Sequence, residues 1–169
     1  MTTFLDSPHN AQQMPPGRRN RAGFLRLLAA ALLVTAGCSE FRYETYVAEL
    51  DGALEGVTTN AGGRAILLVT RDESRAEISL SVSGFQSPIT AAYLRQAPRG
   101  QTGPVVYTLW DPTQGAFSNS DPILRVWSRA GNPAFNAAAL EELRAGNLYV
   151  TVQSRAHPSG EIRGQLLSE

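Results

Sequence analysis

The sequence predicts an all-β domain of about eight short strands, either a sandwich or a barrel, with one short helix towards its end. Two observations carry this. Apolar and polar residues alternate with period two along much of the chain past Phe41. Gly, Pro, Asn and Asp then punctuate the gaps at spacings too short for strand–helix–strand units, as in Ala97-Pro98-Arg99-Gly100 and Asp111-Pro112. At 169 residues the chain accommodates one ordinary domain and little more.

Arg75 to Ser83 is the clearest strand. Ala76, Ile78, Leu80 and Val82 alternate with Glu77, Ser79 and Ser81, so one face enters a core and the other meets water. Before it, Ala65 to Val69 is a nearly continuous apolar run within Arg64–Thr70. The polar stretch Arg71-Asp72-Glu73-Ser74 between them has hairpin length. Further strands are expected at Tyr43–Leu50, Ile89–Arg95, Val105–Trp110, Ile123–Ser128, Leu148–Gln153 and Glu161–Leu167. The last two should form a closing hairpin, with Leu148, Val150 and Val152 in the core and Tyr149, Thr151 and Gln153 on the other face. The helix is expected near Asn136–Ala145. Asn136 caps it, Leu140 and Leu143 form its apolar stripe, and Gly146 supplies the positive φ that ends it.

Charge is distributed unevenly. Net charge is zero and there is no Lys, yet Arg18, Arg19, Arg21 and Arg26 all precede Cys38, with only Asp6 against them. From Cys38 on, acidic residues outnumber arginines, which argues against a nucleic-acid partner needing a basic stripe. Cys38 is the single cysteine, so no disulfide within the chain can hold the domain together.

Residues 1–37 are read as a signal peptide. A polar extension with Pro15 and Pro16 leads to the basic group at Arg18 to Arg26. Leu27 to Val34 follows as an uninterrupted apolar stretch, far short of the ~20 residues that span a bilayer. Small residues then lead into Ala36-Gly37-Cys38. This junction resembles the lipobox of bacterial lipoproteins, although Thr35 stands where that family favours Leu. The resemblance implies acylation of Cys38, a short tether at 38–42, and a domain at 43–169 attached to a membrane rather than inserted in it. The expected location is lipid-anchored in a bacterial cell envelope, at the outer membrane or facing the periplasm. If Cys38 is not lipidated, the domain is secreted or periplasmic.

Towards the C-terminus, Leu143 to Val152 followed by His157-Pro158-Ser159-Gly160-Glu161-Ile162-Arg163-Gly164-Gln165-Leu166 resembles the end of the CHRD domain, a module named after chordin and found in exported bacterial proteins. The likeness extends back through Gly103-Pro104-Val105-Val106 and Ile89-Thr90-Ala91-Ala92 to about Glu49. It implies an antiparallel, Greek-key-like β-sandwich and no established reaction. Its motif positions here are Gly146, Tyr149, Pro158, Gly160, Glu161, Arg163 and Gly164, expected to be structural. Members commonly place a His-x-His pair and a further His where this chain has Tyr93, Arg95 and Gln153. Three imidazoles there would suit a metal; the residues present do not, and Arg95 repels a cation.

Other candidates are weaker. His157, beside Pro158, has no second His to work with and reads as a turn residue. Glu161 and Arg163 share a face, either as a recognition pair or as an ion pair fixing the last hairpin. Gly164 inside a strand signals a bulge or a close backbone approach. Asp72-Glu73 and Glu141-Glu142 read as solvated charge, and Gly62-Gly63 makes no phosphate loop. Tyr107, Trp110, Phe117 and Trp127 surround residues 111–122 and either floor a sugar or peptide groove or belong to the core. With no nucleophile–base set, cofactor motif or metal set, the expectation is a non-catalytic binding or structural module in the envelope, with a protein partner possible. The alternative is a metal-handling protein or an unusual envelope enzyme.

Overall fold

The computed structural model describes residues 43–117 and 121–169. The signal segment, Cys38 and the tether therefore lie outside the described residues. Nine strands and one helix follow in chain order: β1 (Tyr43–Leu50), β2 (Gly62–Thr70), β3 (Arg75–Ser83), β4 (Ile89–Gln96), β5 (Val105–Trp110), β6 (Ile123–Ser128), α1 (Ala137–Arg144), β7 (Leu148–Ser154), β8 (Ile162–Gln165) and β9 (Leu167–Ser168). Two antiparallel sheets form, ordered β6-β3-β2-β1-β9 and β5-β4-β7-β8. The fold is an all-β sandwich.

Period two decides which side of each strand is dry. In the first sheet Ala65, Leu67 and Val69 of β2 and Ala76, Ile78, Leu80 and Val82 of β3 point inward and are buried. The apolar run in β2 is thus split: Ile66 and Leu68 turn to the outer face and stay half-buried. The second sheet contributes Ala92, Leu94, Leu109, Val150, Val152 and Ile162 to the same core.

The two sheets meet differently along their two sides. On one side the backbone joins them: Asp51 bridges Arg163, and Leu167 and Ser168 leave β8 to pair with Val47 and Tyr46 of β1. The predicted strand Glu161–Leu167 is therefore divided. Its β8 part pairs with β7, as the closing hairpin requires, and its end crosses to the other sheet. On the other side, between β5 and β6, packing does the joining. Tyr107, Trp127 and Phe135 form a cluster with ring centroids 4.8–6.0 Å apart. Three of the four aromatics weighed as groove residues, Tyr107, Trp110 and Trp127, belong to the buried core.

Helix α1 forms as expected. Asn136 accepts a hydrogen bond from the Ala139 amide at 3.0 Å, Leu140 and Leu143 are buried, and Gly146 takes φ +71 just beyond the last turn. Arg144 at its end contacts Glu44 and Glu73, and Glu73 also contacts Arg129 at 2.6 Å. The Arg144 guanidinium holds the Glu44 carboxyl below its ordinary range. Glu73, read from the sequence as solvated turn charge, is thus a node joining the β2–β3 turn, β6 and α1.

Candidate functional site

The outer face of the second sheet gathers most of the residues that the sequence singled out. Cross-strand register sets three rows: Ala91 beside Gln153, then Tyr93–Thr151–Arg163, then Arg95–Tyr149–Gln165. Tyr93, Arg95 and Gln153 therefore share one face, as i, i+2 spacing on β4 and the pairing with β7 dictate.

Each row has its own partners. The Arg95 guanidinium lies 5.6 Å from the Tyr93 ring centroid, and its Nη1 donates to the Gly103 carbonyl at 3.0 Å. The Gly103 amide in turn donates to the Tyr149 hydroxyl at 3.1 Å. Over the Tyr149 ring, 3.4 Å from its centroid, sits the Arg163 guanidinium. A desolvated cation–π contact of this kind contributes on the order of 2 kcal/mol. Gln165 ties the sheet to its neighbouring loops, donating to the carbonyls of Ala97 at 3.1 Å and Gly146 at 2.6 Å.

Glu161 and Arg163 do share a face and serve the structure, but the ion pair expected between them does not form. Both are buried, at 3% and 2% exposure, so they are not a solvated recognition pair. Nor do they bond to each other. Glu161 Oε1 accepts from Thr59 at 2.7 Å, while its Oε2 and the Arg163 Nε and Nη2 atoms make no hydrogen bond in the protein. The physical reason is coverage. The 3₁₀ turn Ala53–Glu55 and the chain around Thr59 fold over the outer side of β8, where Glu55 meets Thr151 and Gly160. This corrects a second expectation: the Tyr149 and Thr151 side of β7 is as dry as its core side.

The glycines and Pro158 play structural parts. Pro158 sits in the turn closed by the Gly160 amide donating to the His157 carbonyl at 3.2 Å, and half-buried His157 belongs to that same turn. At Gly164 a Cβ would overlap the Glu49 carbonyl and stand 3.1 Å from Leu50 Cγ, so its bare Cα admits β1. Glu142, on α1, accepts from the Asn147 side chain at 2.7 Å. Gly62 and Gly63 open β2 rather than a loop.

A second feature lies at the end of the sandwich opposite Tyr43. Trp110 and Phe117 pack edge to face with centroids 5.2 Å apart, beside a cleft of about 480 Å³ shared with Phe85, Ser87, Pro88 and Ile89. Trp110 is itself buried, which leaves Phe117 and the 85–89 connection as the more accessible walls.

The family model of the CHRD domain matches residues 46–166. The chain belongs to the CHRD family. Comparison with curated proteins and with solved structures returned no match. Membership points to a binding or structural module. Arg95 is engaged with the Tyr93 ring and with Gly103, and no group of three His, Cys, Asp or Glu side chains poised for a metal occurs among the described residues. Sequence reasoning missed Glu55 and Thr59, and gave Gly103 no contact with this face, although all three cover it. They lie in connections without periodicity, 96, 102 and 46 residues from their partners, so no local signal marked them.

One outcome follows for the CHRD domain. A ligand that binds the native state raises apparent stability by mass action. Micromolar copper or zinc should leave the thermal midpoint of the purified protein unchanged, because Tyr93, Arg95 and Gln153 present a phenol, a guanidinium and an amide, none of them a usual ligand for these ions. A saturable upward shift would count against this reading.

Proposed function

We propose that this CHRD domain is a non-catalytic binding module, exported and held at a bacterial envelope membrane by acyl chains on Cys38. The observation that carries the non-catalytic half is the state of the outer face of the second sheet: Arg95, Tyr149, Arg163, Glu161 and Gln165 hold strands and loops to one another. A side chain packed into such a network is a poor candidate for proton transfer or nucleophilic attack, which require an accessible group beside a base. His157 sits in a turn at the edge of this sheet, with no second imidazole in the domain.

The membrane half is supported by the sequence at Ala36-Gly37-Cys38 after a basic and short apolar leader. Each buried methylene contributes about 0.8 kcal/mol, so two or more acyl chains hold a domain firmly while one alone is marginal. Cys38→Ala should move the protein from the membrane fraction to the soluble envelope fraction, with the fold unchanged by circular dichroism. Equal membrane partitioning of the variant and the wild type would sink the anchor.

A further inference from the structure

We infer that the open face of the first sheet is a membrane-docking surface, on which the anchored domain lies flat against lipid headgroups. The inference rests on the acylation of Cys38 proposed above, and it concerns a surface rather than the anchor itself. Four of the large apolar side chains left about half exposed, Tyr43, Leu124, Val126 and Leu167, all stand on this one face. Register joins them. Leu167 pairs with Val47, Val47 with Ile66, Ile66 with Ser79 and Ser79 with Leu124, so one row across the five strands is apolar at every position but Ser79. The outer face of a solvated antiparallel sheet is ordinarily polar, and a contiguous apolar patch marks an interaction site.

The occupant follows from where the tether ends. Cys38 precedes Tyr43 by five residues, a span of at most ~18 Å even fully extended. Tyr43 opens β1 and belongs to this face. To present the opposite end of the sandwich to the bilayer, Tyr43 would have to rise by the length of β1, eight residues or about 26 Å. The tether cannot reach that far. The charges on the face are engaged with one another: Arg64 lies 3.3 Å from Glu49 and 3.8 Å from Glu169, and Arg75 lies 2.9 Å from Glu77. The apolar side chains of the face gain by leaving water at the headgroup boundary, as those of interfacial segments do. Lying this way, the domain turns Tyr93, Arg95 and Gln153 away from the bilayer.

The test uses the full chain purified from membranes and reconstituted in vesicles of phosphatidylcholine and phosphatidylglycerol. Because the Cys38 thiol is consumed by acylation, Ser79→Cys and Thr108→Cys each give a unique labelling position, Ser79 on the docking face and exposed Thr108 on the outer face of the other sheet. Nitroxide-bearing lipids should quench a fluorophore at 79 several-fold more than one at 108. Adding Leu124→Glu and Val126→Glu, both at exposed positions, should abolish that preference while the chain still floats with the vesicles. Equal quenching at 79 and 108 in an acylated, floating chain overturns the inference and leaves the anchor standing. Shielding of position 79 from a water-soluble quencher without lipid quenching means a second copy covers the face, and also overturns it. Mass spectrometry showing unmodified Cys38 removes the anchor and the docking surface together.

Discussion

Val150→Asp should leave the CHRD domain unable to fold. Val150 is fully buried at the centre of β7, opposite Leu94 of β4 and Gly164 of β8. A carboxylate there has no partner and no water, and burying one costs several kcal/mol against a total stability of about 5–15 kcal/mol. Near-UV circular dichroism and urea unfolding should both show loss of the cooperative transition. The neighbouring Thr151→Asp is the informative comparison. Strand alternation alone would make it mild, yet Thr151 is also buried, between Tyr93 and Arg163 and against Glu55. The new carboxylate would crowd Glu55 and at the same time offer Arg163 the acceptor that its Nε and Nη2 lack. The variant should keep a cooperative urea transition, unlike Val150→Asp, but with a midpoint below that of the wild type. A wild-type midpoint for Thr151→Asp would mean that the outer side of β7 is wet.

The second large effect concerns Gly164, where β8 packs against the backbone of β1. Gly164→Val places a branched side chain where the Glu49 carbonyl and Leu50 already stand, and both belong to a strand hydrogen-bonded on two sides. Backbone held in a ladder cannot yield as a side-chain tip can, so overpacking here should cost more than the ~1–3 kcal/mol usual in a core. Gly100→Ala separates this from backbone strain. Gly100 has φ +81 with open space around it, so its substitution should cost only about 1 kcal/mol, the conformational term. Urea midpoints close to each other for the two variants would show that no close approach exists at Gly164.

Most of the architecture was legible in the sequence because it rests on period-two patterning, which is local. β1, β3, β5 and β6 begin and end where alternation and turn residues place them, and α1 lies between its cap and Gly146. What was not legible depends on contacts made far along the chain. The sequence of β7 reads as one dry and one wet face, yet Arg163, Glu55 and Gly103, brought in from three other segments, cover the second face with polar atoms. For the same reason Glu161 and Arg163 looked like an ion pair. Their spacing does put them side by side, but Thr59 and the Tyr149 ring take the places of partners. The crossing of Leu167 to the other sheet had no signature, since two residues are too few to show a period. Among the aromatics, composition could not separate Tyr107 and Trp127, which close an open side of the sandwich, from Trp110 and Phe117 beside the cleft.

The pairing of β9 with β1 also bears on how the protein can be handled. The Glu169 amide donates to the Thr45 carbonyl at 3.0 Å, so any polypeptide appended after Glu169 starts alongside β1, the first strand of the domain. An affinity tag or reporter fused there would compete with whatever lies beside Tyr43. Foreign sequence is better spliced into the turn around Gly115, at the far end of the sandwich, where the backbone at φ +101 has open space around it. A reporter carried at that turn would leave β1 and its neighbours undisturbed.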